Sequence, residues 1–334
     1  MKLSRFLYFI YYLRKLDKEK FSLFLKYALI NGDKTKLSLL SDVFTSVLVY
    51  NISILEYFQF RYFEKDSSER EKWAGTGYLY EYQLKMNPKS TRIYLEDKIK
   101  FLNHFGSFIK RKYADIGALE SDHKLISQLL ENKSGKLVLK GSHGQVGAEV
   151  EVILCNDYSP EALVDYMKMK KYDLAEEFVL QHPALMELSP SGLNTIRVLT
   201  QIHDGDVNFL GARLRVSVNS PVDNMAAGNL AACIDMKTGT VNGPGVYSDI
   251  TKEDMTNHPV TGKAITGFKI PFWNQVINLS REVALYMPGN RSVGWDIAIT
   301  EKGPELIEGN HNWCKLLWQL PVKEGLKHEL EQYL

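Results

Sequence analysis

The late segment VGWDIAITEKGPELIEGNHN gathers acids and an amide at spacings that could do chemistry. Apolar-rich runs at 293–300 and 305–308 flank turn-forming residues 301–304, which predicts a β-hairpin. With the turn centred near Lys302–Gly303, Asp296 lies opposite Glu308. Asn310, two residues beyond, shares that face because strand side chains alternate. Like charges facing each other across a ladder repel, and a cation between them reverses the sign. Mg2+ prefers oxygen ligands, usually one or two carboxylates with phosphate and water. Asp296, Glu308 and Asn310 are therefore candidate metal ligands. Their neighbours Val293, Trp295, Ile297, Leu306 and Ile307 argue against a fully solvated hairpin.

A second constellation precedes it. Lys140 ends the apolar run KLVLK and is followed by GSHGQVG. Glycines let backbone approach a ligand, and successive backbone N–H groups can cradle phosphate. Lys140 would add a point positive charge. Ser142, His143, Gly144 and Gly147 are candidate members of this loop, which is also a candidate lid over residues 142–147. The order differs from a Walker A motif, since the lysine comes before the glycines. Taken alone, the same pattern describes a surface turn.

Elements to position these groups are legible around them. Residues 1–95 read as mostly helical, with a break at KMNPKST. Residues 96–130 suggest two helices, the second capped by Ser121. Strands are expected at 136–140 and 148–154, joined as a hairpin, then a helix at 159–171 and a short strand at 178–181. Further strands are expected at 195–202, 207–217 and 230–235, and a helix at 274–287. This is an α+β pattern with antiparallel sheets. The chain carries 41 basic and 40 acidic residues. That balance lacks the basic excess of duplex binders and points away from a nucleic-acid partner. The three cysteines, Cys155, Cys233 and Cys314, show no metal-ligand spacing and suit a reducing cytoplasm as buried or partly buried residues. Residues 37–58 place apolar side chains at helical spacing and read as one amphipathic helix. In MKLSRFLYFIYYLRKL the apolar run is too short to span a bilayer. It reads as a core-packing helix or as an interfacial helix on anionic lipid.

The combined pattern resembles the ATP-grasp superfamily. Asp296 followed by Glu308-Gly309-Asn310 is similar to that fold's magnesium set, and Lys140 with GSHGQVG to its phosphate loop. Lys98 in LEDKIKF resembles its earlier nucleotide lysine. A closer resemblance is to the sugar-transfer-associated (capsule- or exopolysaccharide-associated) members. It is carried by QHPALMELSPSGLNTIRVLT, LGARLRVS with VDNMAAGNLAACID, HPVTGKAITGFKIPFW, and VGWDIAIT with GPELIEGN, across residues 136–312. The resemblance implies two α+β lobes with antiparallel sheets gripping ATP: residues 96–180 with the glycine-rich loop and 181–334 with the metal site, after a helical region 1–95. It implies ATP, one or two Mg2+ ions, and an acyl phosphate that passes its acyl group to an amine. Glu176 and Glu177 would stand at the adenine-contacting linker, with Phe178 and Val179 reading the base through backbone. Glu187 and Asn194 are both candidates for the ribose. A uronic-acid carboxylate of a surface polysaccharide and an amino acid or amine are the implied substrates, at or near the inner membrane face.

One departure matters. Better-known ligases such as D-alanine–D-alanine ligase carry an arginine two residues before the first metal aspartate, where this chain has Gly294. The charge that stabilises the tetrahedral oxyanion must come from elsewhere, and Arg197, Arg213 and Arg215 on predicted strands are the candidates. Asp223 and Asn224 in a polar loop, and His258 and Lys263 in HPVTGK, are candidate substrate contacts. Two rival readings remain open here: a kinase using the same lysines and carboxylates, and a non-catalytic membrane-associated module. An intact metal set weighs against the second.

Overall fold

The computed structural model describes residues 3–142 and 150–334. The N-terminal third is helical: α1 (Leu3–Arg14), α2 (Lys18–Asn31), α3 (Lys36–Tyr50), α4 (Ile54–Gln59), α5 (Ser67–Glu71), α6 (Thr76–Met86), α7 (Lys89–Glu96) and α8 (Lys98–His104). The single helix expected over 37–58 is two. Asn51 takes the left-handed conformation at φ 57° and ends α3. Ser53 and Glu56 then form a capping box that starts α4. Phe24, Leu39, Val47, Ile52, Tyr57, Phe58 and Tyr62 form the core of this region. Of the two readings of the first sixteen residues, each describes one face of α1. Tyr12 is buried and Phe9 packs edge-on against Phe44, while Phe6, Leu7, Tyr11 and Leu13 are exposed. Among the described residues no helix is long and apolar enough to cross a membrane.

A four-stranded antiparallel sheet follows: β1 (Tyr113–Asp115), β2 (Lys136–Lys140), β3 (Val150–Leu154) and β4 (Leu174–Glu177), in the order β1-β4-β2-β3. Leu137, Leu139 and Ala175 alternate onto one face and pack under α9 (Ile116–Ser121), α10 (His123–Leu130) and α11 (Pro160–Lys170). Three details differ from expectation. β1 was not anticipated, being only three residues, YAD. The cap of α10 is Asp122, one residue beyond Ser121. The strand expected at 178–181 lies earlier, at 174–177, and Gln181 makes only an isolated bridge to Thr300. The acids of LAEE disfavour a strand by propensity, and buried ion pairs described below override it.

After α12 (Pro183–Leu188), a five-stranded antiparallel sheet is built from β5 (Thr195–His203), β6 (Asp206–Val216), β7 (Leu230–Ile234), β8 (Ser292–Thr300) and β9 (Gly303–Asn310), in the order β7-β6-β5-β8-β9. Asp204 and Gly205, both at positive φ, turn β5 into β6. One face packs against α13 (Trp273–Tyr286) and against Phe101, Leu102 and Phe105 at the end of α8. The helix that begins at Lys98 is thus seated on the larger sheet. The chain closes with α14 (Lys315–Gln319) and α15 (Lys327–Glu331), which dock Trp313 and Trp318 on Leu199 and Leu210. Of the cysteines, Cys155 is buried and Cys233 half-buried, but Cys314 is exposed, contrary to expectation.

Candidate active site

The hairpin brings Asp296 and Glu308 together as Cα partners, by a route the sequence did not reveal. The turn is tighter than expected: Thr300 pairs with Gly303, leaving Glu301–Lys302 as the loop. In that register Ile307 would oppose Asp296. A bulge beside Ile297 restores the pairing, because Ile297 opposes Leu306 while Asp296 opposes Glu308. The Asn310 amide donates to Glu308 Oε1 at 3.2 Å, so the three expected ligands share one face.

The Asp296 carboxylate accepts from Arg197 Nε and, at 2.8 Å, from Arg197 Nη2 and Arg215 Nη1. Arg215 also pairs with Asp223 at 2.7 Å, and Asp223 accepts from the Thr195 N–H and hydroxyl at 2.9 and 2.5 Å. Burial pushes Asp296 up, yet Arg197 and Arg215 outweigh it and hold this carboxyl well below the usual range. Burial and then the facing Asp296 push Glu308 up. Two facing carboxylates in a buried place disfavour carrying both negative charges, a demand that a divalent cation between them would meet. Among the described residues no group of three Asp, Glu, His or Cys side chains is arranged to hold a metal ion. Two carboxylates and an amide do, which fits a magnesium site completed by phosphate and water. Gly294 also finds its reason here. A Cβ at Gly294 would lie 2.9 Å from Arg197 Cδ and 2.8 Å from Trp313 Cβ, so the arginine on β5 fills the space of a side chain at 294.

The lysines come from the other sheet and from α8. Lys98 Nζ donates to Gly141 O at 3.0 Å, and its backbone N–H to Ser142 O at 3.1 Å. Burial pulls Lys98 down; Glu308 raises it and Lys140 lowers it, so its ammonium stands in the field of both. Lys140 and Glu176 share a face, and their side chains pair at 2.9 Å. Glu176 also meets Arg111 at 2.5 Å. Burial pushes Glu176 up, but Arg111 and Lys140 prevail and leave it at about 2. Lysines, metal-type carboxylates and two arginines thus converge between the sheets. The family model described as sugar-transfer associated ATP-grasp matches residues 79–333.

The chain belongs to the sugar-transfer-associated ATP-grasp family. Its fold resembles D-alanyl-alanine synthetase A from Vibrio cholerae, at 9% identity and TM-score 0.42, covering 70% of this chain and 60% of that one. It also resembles an L-amino acid ligase from Bacillus licheniformis, at 13% identity and TM-score 0.39, covering 71% and 49%. A third is an N5-carboxyaminoimidazole ribonucleotide synthetase in its ADP complex, at 10% identity and TM-score 0.41, covering 66% and 45%. The chain spans about half the length of such structures. The comparison with curated proteins finds no match.

Most of the other expected residues are held by partners of their own. Arg213 shares the face of Arg215, but its guanidinium donates to the carbonyls of Ala212 and Trp318. Buried Asn194 donates to Ser189 O at 2.8 Å and accepts from Ser217 N–H at 2.9 Å, a structural brace that does not suit a ribose contact. Glu187 is exposed and pairs with exposed Lys263 at 3.6 Å. His258 is buried: Nδ1 accepts from the Val260 and Thr261 N–H groups, so Nε2 donates to Ser217 O at 2.9 Å. Asn224 caps a short turn by accepting from Ala226 N–H at 2.9 Å. Ser142 is clamped by Asp173, through its N–H at 2.6 Å and hydroxyl at 2.5 Å. Glu177 accepts from Lys112 N–H at 2.9 Å, and Lys136 lies over the Phe178 ring. Phe178 and Val179 lie in the stretch linking β4 to the Gln181–Thr300 bridge. His143, Gly144 and Gly147 lie outside the described residues. Sequence reasoning does not single out Arg111, in the basic run KRKY, nor the acids Asp173 and Glu305, whose partners are distant in the chain.

Proposed function

We propose that this ATP-grasp protein is an ATP- and Mg2+-dependent carboxylate–amine ligase. The apposition of Asp296 and Glu308 across the bulge, in the electrostatic reach of Lys98, carries this reading. Asp296, Glu308 and Asn310 would hold magnesium, which when bound neutralises phosphate charge. Lys98 and Lys140 bind the nucleotide phosphates, and the 178–181 linker offers backbone groups to the base. A substrate carboxylate oxygen attacks the γ-phosphorus and ADP departs, leaving an acyl phosphate. An amine nitrogen then attacks the acyl carbon, phosphate leaves with the C–O electrons, and the nitrogen loses a proton. Arg197 or Arg215 would stabilise the tetrahedral oxyanion, while Arg213 holds the Trp318 carbonyl.

The family's sugar-transfer association supports a uronic-acid-type carboxylate of a surface polysaccharide as the acid, with an amino acid or amine as acceptor. The exposed Phe6, Leu7, Tyr11 and Leu13 of α1, which carries Arg5 and Arg14 and no acid, support peripheral contact with an anionic inner membrane face. The smaller lobe is read as starting near β1, since α8 packs with the larger sheet.

The test is ATP turnover by purified protein with Mg2+, uronic-acid sugars and amino acids, with hydroxylamine as trap. Substrate-dependent ADP and a hydroxamate are expected. Glu308→Gln should lower both by roughly a hundredfold, the scale of losing one preorganised electrostatic group. A stable phosphomonoester in place of the hydroxamate would replace the ligase with a kinase. Absence of any nucleotide binding would leave the non-catalytic module.

A further inference from the structure

Arg111 is among the most enclosed charges in the protein, with its side chain 5% exposed. It stands just ahead of β1 in the smaller sheet. Its Nε donates to Glu176 Oε2 at 2.5 Å. Its Nη1 donates to Glu305 Oε1 at 3.2 Å and to Leu306 O at 2.7 Å, and its Nη2 to Ile307 O at 3.3 Å. Glu305 fixes the approach from the other side by accepting from the N–H groups of Lys110 and Arg111 at 3.0 and 3.2 Å.

The carbonyls are the informative partners. In a regular antiparallel strand, consecutive carbonyls point to opposite edges. One guanidinium collecting both Leu306 O and Ile307 O marks the irregularity between the Ile297–Leu306 and Asp296–Glu308 pairs. β9 is an edge strand, so nothing in the sheet itself holds that side. Register matters here because it sets Glu308 opposite Asp296. A slip of one residue would set Ile307 opposite Asp296 and turn Glu308 to the other face. The same guanidinium is bound to Glu176, whose other oxygen holds Lys140 at 2.9 Å.

We propose that Arg111 is a positioning residue that pins the β9 bulge and so ties the phosphate lysine Lys140 to the placement of Glu308. The chain of contacts runs Lys140, Glu176, Arg111, the Leu306 and Ile307 carbonyls, Glu308. It rests on the metal and nucleotide reading given above. Its consequence is that nucleotide and Mg2+ bind cooperatively through Arg111. A guanidinium is required, because a planar fork reaches a carboxylate and two carbonyls together, which an ammonium does not.

The test is ADP binding to the full chain by calorimetry, without and with saturating Mg2+, for wild type, Arg111→Met, Arg111→Lys and Glu305→Gln. The readout is the ratio of the two affinities, which a merely structural arginine would leave unchanged while lowering the melting temperature. In folded Arg111→Met the ratio should fall by roughly tenfold to a hundredfold, as when supports of metal ligands are removed. Arg111→Lys should recover only part of it. Should Arg111→Met not fold, Glu305→Gln loosens Arg111 from β9 while sparing its bond to Glu176, and should reduce the ratio in the same direction. A folded variant with the wild-type ratio overturns the proposal and leaves the ligase reading intact. A wild-type protein whose ADP binding ignores Mg2+ overturns both.

Discussion

Glu176 shows at the scale of one residue how burial and pairing compete. Its carboxylate is buried, which by itself favours the neutral acid, yet two cations hold it at about 2, below the ordinary 4.5. A carboxyl depressed by folding contributes stability that is complete above its unfolded value and is lost as pH falls through the folded one. The window is therefore pH 4.5 down to 2. The shift corresponds to about 3 kcal/mol at neutral pH. Urea unfolding of wild type and Glu176→Gln should show a stability gap that is widest above pH 5 and narrows steadily towards pH 3. A gap independent of pH would mean that Glu176 is not held ionised by Arg111 and Lys140. The same competition explains the Asp296 cluster. Arginines keep Asp296 charged, while burial and the facing Asp296 push Glu308 up.

At the scale of elements, β5, β8 and β9 act as a ruler. Arg197 and Asp296 are Cα partners, as are Asp296 and Glu308, so the charge sequence is written across three strands. Gly294 preserves it. Gly294→Ala places a methyl at 2.8 Å from Trp313 Cβ and 2.9 Å from Arg197 Cδ. Overpacking of this kind costs about 1–3 kcal/mol. Thermal unfolding should report that loss, and the displaced Arg197 should lower turnover as well. An alanine variant with wild-type stability and turnover would show that the strand has room the geometry denies.

Across the whole molecule, the helical N-terminal region and the sheets are fastened by the C-terminal segment. Lys315 of α14 pairs at 2.9 Å with Glu56, which is buried in α4, and the Gln319 amide bonds both the N–H and the carbonyl of Ala74. Packing of α1 on α3 and α4, with Tyr12 buried and Phe9 against Phe44, leaves Leu7 and Tyr11 outward. Vesicles containing anionic lipid should therefore cosediment the protein at low salt. Leu7→Asp with Tyr11→Asp should abolish this while turnover in solution persists, and added salt should weaken it by screening. Equal recovery of wild type and variant with vesicles would remove the membrane contact from the proposal.

What the amino-acid sequence determined by itself was whatever depends on local periodicity. Alternation set Glu308 and Asn310 on one face of a strand, and the apolar run placed Lys140 at the end of another. Helical spacing marked the N-terminal region, and the turn residues marked the hairpins. Tertiary structure decided which charge meets which. Arg213 and Arg215 are equivalent by alternation, yet one holds Trp318 and the other Asp296. Asn51 broke a helix that spacing alone would have continued. The register of Glu308 came through a bulge that two distant carbonyl contacts of Arg111 accompany, and Arg111 itself sat unmarked in a basic run. Periodicity is a property of neighbouring residues. Pairing of buried charges is settled by packing between segments nearly two hundred residues apart, as Arg111 and Glu305 are, where desolvation makes each unmet charge costly.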